Sequence, residues 1–289
     1  MPRPRISALV TTYNEAEHIE PCLRSLDWAD EIVLVDSFSN DGTVELVRER
    51  FPNVKVVQRE YLGSAAQKNF GLDSVANDWV LVVDADEQVT PELRDEIHAV
   101  LDEGPKYWAY WIGRANYVLG KPVRYSGLQR DGVRRLMHRK NARYPNRRVH
   151  TDLAVNGPVG RLRGKFKHLY IRSFDHQVEK MTRYGLWGGT QLYLEGRDVS
   201  APGILGHSFA RFFRDYVVNL GFLDGAPGLI TVGLHTFYTF WKYSKLWEFN
   251  RLKEQGKAPK LPKIETDEEV WKMPWDQDVD VAGPDRVGQ

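Results

Sequence analysis

The chain has 289 residues, 42% of them hydrophobic, and 40 basic side chains balance 39 acidic ones. That length and apolar share exclude a disordered chain and fit one large α/β domain or two small ones. The single cysteine, Cys22, excludes a disulfide framework and a cysteine-based zinc site.

The apolar run Ile6–Val10 is too short for a signal sequence, so a cytoplasmic protein is expected. Ile6–Thr12 predicts a strand, and Asn14-Glu15-Ala16-Glu17 predicts a cap opening a helix to about Ser25. Glu31–Asp36 predicts a buried strand, and Ser39–Thr43 a turn into a helix through Arg50. Val54–Val57 predicts a third strand, Ser64–Val75 a helix and Trp79–Asp84 a fourth strand. Thr90-Pro91 has the pattern of an N-cap with proline at the first helical position, opening a helix to Leu101. Trp108–Ile112 and Asn116-Tyr117 read as further strands. Strands alternating with helices predict a doubly wound, mostly parallel, Rossmann-like sheet, whose ligands gather beyond the carboxyl ends of the strands.

Downstream, Ala210–Leu223 and Pro227–Trp241 mix aromatic with basic and polar residues. They are too short and too polar for a membrane span. They read as an interfacial helix pair with Lys242 and Lys245 at its basic margin, or as helices that cover the sheet or an interface. From Glu254 on, a polar, proline-rich composition predicts a loosely packed tail.

Charge is segregated. Residues 1–104 carry 9 basic and 21 acidic side chains, whereas residues 121–172 carry 15 basic ones and only Asp131 and Asp152. The basic block calls for an anionic neighbour: nucleotide phosphates, an anionic acceptor, lipid headgroups or nucleic acid. Strand ends deliver polar groups to one sheet edge: Thr11 to Glu15, Asp36 and Ser37, and Asp84 to Glu87. Asp84-x-Asp86 offers two hard oxygen ligands of the kind that share Mg²⁺ or Mn²⁺ with phosphates. No G-x-G-x-x-G follows the first strand and no phosphate-binding G-x-x-x-x-G-K-[ST] occurs, which excludes the common dinucleotide and NTPase readings.

Thr11-Thr-Tyr-Asn-Glu15, Val35-Asp-Ser37 with Asp41-Gly-Thr43, Gly63 with Lys68-Asn-Phe-Gly71, and Val83-Asp-Ala-Asp86 together resemble the inverting family 2 glycosyltransferases of the GT-A fold. The resemblance covers about residues 6–100. The second half is similar to the bacterial lipopolysaccharide-core β-1,4-glucosyltransferase branch, through Arg147-Arg-Val-His150, the Gly164–Tyr184 stretch, Arg211–Tyr216, Gly221–Gly225 and Lys245–Glu248. It implies a nucleotide-sugar half at 1–104, an acceptor-side half at 105–200, a helical, membrane-surface extension at 201–253 and a tail at 254–289.

The resemblance also implies roles. Thr12, Tyr13, Glu15, Asp36, Lys68 and Asp84 bind the donor, and Asp86, with Asp84, binds Mg²⁺ or Mn²⁺, with His168 or His150 as a further ligand. Arg147, Arg148 and the run Arg161–Lys167 are phosphate or acceptor contacts. An inverting transfer needs a base for the acceptor hydroxyl. Where that branch has Glu after the histidine, this chain reads His150-Thr151-Asp152, so Asp152 is the first candidate, with Glu179 and Asp175 in reserve. The expected activity is metal-dependent transfer of a hexose, glucose favoured, from a UDP-sugar to lipopolysaccharide core or a lipid-linked glycan. It would take place at the inner face of the cytoplasmic membrane, with no nucleic acid involved. The alternative is an inactive GT-A-like protein holding anionic lipid or nucleic acid through residues 121–172.

Overall fold

The computed structural model describes residues 3–145 and 152–261. Four strands, β1 (Ile6–Thr12), β2 (Glu31–Asp36), β3 (Lys55–Gln58) and β4 (Trp79–Asp84), form a parallel half-sheet in the order β3-β2-β1-β4. β1 and β4 are buried along almost their whole length, because helices cover both faces of a parallel sheet. On one face lie α1 (Ile19–Arg24), α2 (Thr43–Arg50) and α4 (Pro91–Glu103), packed through Ile19, Leu23, Val47, Leu93 and Ile97. On the other lies α3 (Ser64–Ser74), packed through Ala65 and Leu72. Thr90 caps α4 as its sequence implies, its side chain accepting from the Leu93 N–H at 3.3 Å.

The first helix begins at Ile19, not near Asn14. Asn14 stands at φ 55°, a left-handed turn conformation that a helix cannot contain. The turn is held from outside, since the Asn14 side-chain oxygen accepts from the Asn40 N–H at 2.9 Å and Asp41 accepts from the Ala16 N–H at 3.0 Å.

β5 (Glu87–Val89), β6 (Ala109–Val118), β7 (Lys121–Val123), β8 (Gly132–His138) and β11 (Val159–Ile171) extend the sheet in the order β4-β8-β6-β11-β5, with β7 on β6. The two aromatic stretches read as separate strands are one strand, β6. β8 runs antiparallel to both β4 and β6. Pairing skips Arg135, because Tyr110 faces Leu136 while Trp111 faces Arg134. This one-residue bulge re-aims the side chains around it. Short strands β9 (Ala142–Arg143) and β10 (Ala154–Val155) pair with each other. Arg147, Arg148 and His150 lie outside the described residues.

The C-terminal part is helical: α5 (Phe174–Leu194), α6 (Ala201–Phe213), a π-turn (Arg214–Val218), a 3₁₀ turn (Gly221–Asp224) and α7 (Gly225–Glu254). α7 lies close on α5 because glycines face it. A Cβ at Gly185 would fall 2.5 Å from Trp241, and one at Gly189 would fall 2.8 Å from the Lys242 carbonyl. Lys242 and Lys245 therefore do not form a basic outer margin. They turn toward α5, where burial lowers the Lys242 pKa and Lys245 bonds Glu248 at 2.5 Å. Outward instead point Leu205, Phe209 and Phe213 of α6, exposed by 65%, 70% and 48%. Among the described residues no single helix is long and apolar enough to cross a membrane. The pair Ala201–Val218 and Gly221–Glu254, bent by 67°, meets that test together on length and composition.

Candidate active site

Strand register builds the site. Thr12 pairs with Asp36 and Thr11 with Asp84, so the ends of β1, β2 and β4 set these carboxylates on one edge. Asp36 is fully buried, and its carboxylate accepts from the Ser39 N–H and the Gln58 amide, both at 3.0 Å. The Thr12 hydroxyl is buried and has no hydrogen-bond partner among the described residues, which leaves a polar atom for a ligand to satisfy. Tyr13 is 57% exposed beside it, its ring free to lie against a base.

Asp84 is clasped by cations. The Lys68 Nζ stands 3.2 Å from one carboxylate oxygen, and the other meets the Arg135 guanidinium with Arg114 at 3.6 Å. Burial alone would raise the Asp84 pKa, yet Arg135, Lys68 and Arg114 hold it far below the usual carboxylate range. Lys68 is buried against Asp84 and the Ser64 hydroxyl, at 3.1 Å, rather than solvated on its helix. Glu87, fully buried, binds Arg114 at 2.6 Å and accepts the Asp84 N–H at 3.1 Å.

Asp86 stands apart from this cluster. Its carboxylate lies 3.8 Å from His168 Nε2. Burial pushes its pKa up, but the hydrogen bond and charge of His168 bring it down to about 2. His168 Nδ1 lies 2.6 Å from the Asn116 side-chain oxygen, and the Asn116 amide donates to Asp131 at 2.9 Å. With Asn116 committed as acceptor, a proton sits on Nδ1, and Nε2 is the ring nitrogen that faces Asp86. Among the described residues no three His, Cys, Asp or Glu side chains gather as a metal site. Asp86 and His168 are the two side chains here that could share a divalent cation with a phosphate-bearing ligand.

Glu15 is turned away from open solvent. It pairs with Arg172, just ahead of α5, and burial raises its pKa against that guanidinium's pull. Asp152 is two-thirds exposed, 3.4 Å from Arg134 and bonded to the Leu153 N–H at 2.9 Å. Asp175 and Glu179 are exposed on α5. Lys180, the next residue, adds positive charge that lowers the Asp86 pKa. Sequence reasoning missed Arg114, Arg135, Arg172 and Asn116. Arginines inside apolar strands were the available signal, because a guanidinium enters a sheet only with an anion to meet.

Residues 7–168 match the model of the glycosyl transferase family 2 domain. The chain belongs to glycosyl transferase family 2. The mixed α/β sheet with its helical C-terminal extension is the GT-A arrangement expected of this family. This family 2 chain is 26% identical over 258 residues to the lipopolysaccharide core biosynthesis glycosyltransferase LpsC of Rhizobium meliloti, covering 88% of this chain and 96% of that protein. An uncharacterized glycosyltransferase of Rickettsia bellii is 29% identical over 258 residues, covering 85% and 87%. Among solved structures, TarS 1-349 of S. aureus in complex with UDP-GlcNAc aligns at TM-score 0.45 with 16% identity, covering 88% and 92%. The family assignment stands on the domain match alone.

Proposed function

We propose that this glycosyltransferase moves a hexose, glucose favoured, with inversion from a UDP-sugar to a saccharide of lipopolysaccharide core or a lipid-linked glycan. The observation that carries the reading is the edge formed by Thr12, Asp36, Asp84 and Asp86, with His168 Nε2 turned onto Asp86. The lipopolysaccharide-core role named for the Rhizobium relative supports the acceptor class.

In this reading Tyr13 lies along the uracil, and Asp36 and the unpartnered Thr12 hydroxyl bind base or ribose. Asp86 and His168 are the residues that fit Mg²⁺ or Mn²⁺, a carboxylate oxygen and an imidazole nitrogen facing one another. When bound, such a cation neutralises charge on a departing diphosphate. Asp84 fixes Lys68, Arg135 and Arg114 as a positive wall beneath that diphosphate, preorganised by ion pairs rather than by the substrate. Asp152 takes the acceptor proton at its exposed carboxylate, oriented by Arg134. One in-line displacement then inverts the anomeric centre without an enzyme nucleophile. The exposed row Leu205, Phe209 and Phe213 rests the protein on the inner face of the cytoplasmic membrane, where a lipid-anchored acceptor is found.

The test is thermal unfolding with UDP-glucose and Mn²⁺, with and without chelator, followed by assignment of the product anomer. Stabilisation only in the presence of metal is expected, amounting to about 2.7 kcal/mol at a ligand concentration 100 times its dissociation constant. Asp86→Ala should lose it, and an unchanged shift in that variant would remove the metal assignment.

A further inference from the structure

The basic run Arg161–Lys167 and the Trp111 side chain of β6 take no part in the donor site, yet they meet. Trp111, Gly113, Arg161, Leu162, Arg163 and Lys165 line a groove of about 430 Å³ on the sheet. Its floor is flat because two glycines leave it so. A Cβ at Gly132 would fall 2.1 Å from the Trp111 ring, and one at Gly113 would lie 3.5 Å from it. The Arg161 guanidinium carbon lies 4.1 Å from the centroid of the Trp111 ring, a cation–π contact.

The wall is built as deliberately as the floor. β11 slips register against β6 between Arg161 and Lys165. Glu96 of α4 holds that bulge by accepting the N–H groups of Arg163, at 2.8 Å, and Gly164, at 2.7 Å. A Cβ at Gly164 would strike the Leu93 backbone at 2.5 Å, so only glycine lets the bulge dock. The result is that Arg161, Arg163 and Lys165 all project outward, and among the described residues none of them forms an ion pair. Three cations held together without ion-pair partners among the described residues, one of them a stacked guanidinium, favour an anion with planar or tetrahedral oxygens.

Leu81 and Tyr110 both pair with Leu136, so Trp111 on β6 stands one residue past the level of Leu81 on β4, toward the strand end that carries Asp84. Trp111 pairs with Arg134, the residue that orients Asp152. We infer that this groove binds an anionic group, phosphate or carboxylate, on the acceptor saccharide, beside the proposed base Asp152. The inference rests on the transfer reading above, and its test is separate from that reading's.

The experiment follows the indole N–H resonance of Trp111, assigned with Trp111→Phe, in the full chain. The probes are mannose 6-phosphate, galacturonate, neutral mannose and a short oligothymidylate. Saturable shifts with mannose 6-phosphate or galacturonate, and none with mannose, are expected, and the tighter of the two names the anion. Arg161→Ala and Lys165→Ala should each weaken that binding about tenfold. Arg48→Ala on α2 should leave it unchanged. Equal shifts with mannose, no saturation with either acid, or tighter binding of the oligothymidylate would overturn the proposal. UDP-glucose hydrolysis by the same preparation reports the donor site independently. Hydrolysis without anionic-sugar binding defeats this inference alone, and binding without hydrolysis defeats the transfer reading alone.

Discussion

Asn116 and His168 meet at 2.6 Å across two neighbouring strands, and this contact decides which imidazole nitrogen faces Asp86. Asp131 fixes the direction of the Asn116 amide at 2.9 Å and so fixes the tautomer two bonds away. A hydrogen bond that sets the tautomer of a metal-ligating histidine typically contributes about 10–100-fold to metal affinity.

Asn116→Leu should therefore weaken Mn²⁺ binding in the presence of UDP by about 10–100-fold. Metal-free UDP affinity should stay near wild type. Electron paramagnetic resonance titration of Mn²⁺, alongside calorimetry with UDP, measures both. Equal Mn²⁺ affinity in the two proteins would dissociate His168 from the metal.

The two aspartates of the Asp84-Ala85-Asp86 turn should separate by stability. Asp84→Ala leaves Lys68, Arg135 and Arg114 without their shared anion, a loss of about 3–5 kcal/mol for a broken buried pair. Asp86→Ala removes a carboxylate that meets the His168 ring alone and should lower the urea midpoint by less than Asp84→Ala does. Urea unfolding of both variants at neutral pH is the measurement. Matching midpoints for the two would show that the cation clasp contributes little.

Acid should unfold the protein in a window set by these same groups. Asp86 falls from 3.8 to about 2 on folding, and Asp84 falls further. Depressed carboxylates stabilise the fold fully above their unfolded pKa, and that stabilisation is lost as pH falls through the folded one. The contribution of Asp84 and Asp86 should be flat from about pH 7 to 5. It should then drop below about pH 4 with up to about 1.4 kcal/mol per pH unit for each such carboxylate. Urea midpoints measured across that range give the slope, and Asp86→Asn should make it shallower.

Asp152→Asn should lower turnover on a competent acceptor by about 10²–10⁴ while donor affinity holds, because a base acts on the acceptor proton only. Retention of more than about a tenth of turnover would move the base to Glu179 or Asp175.

Phe209→Asp with Phe213→Asp should abolish flotation with anionic vesicles, since these side chains stand outward. Lys242→Glu should instead lower the melting temperature, because that ammonium lies over the Tyr243 ring at 4.8 Å on the α5 side. Flotation that survives the double substitution would assign the aromatic row to another partner.

The parallel half was legible because its signals are local. Apolar runs such as Trp79–Asp84 read as strands, and Thr90-Pro91 as a helix start, without knowledge of neighbours. The same locality placed Asp36, Asp84 and Asp86 on one edge, since a strand's end is visible in its own residues. What escaped depends on register. Arg135 reaches Asp84 only because β8 bulges at that residue, and Asn116 reaches His168 only because β6 and β11 run parallel. Lys242 looked like a surface cation because the glycine face of α5 that receives it lies more than fifty residues away in sequence.

The pairing of Glu15 with Arg172 has a consequence for what counts as a unit of this protein. Glu15 belongs to the first motif of the family, but the family match ends at residue 168, ahead of its partner. Arg172 is anchored by α5, and α5 in turn lies under α7 through Gly185 and Gly189. A fragment cut to the shared family segment would keep the motif and lose its counter-charge, while one ending after α5 would bare a glycine-lined face. A fragment ending at residue 168 should therefore be less stable than one that runs through α7.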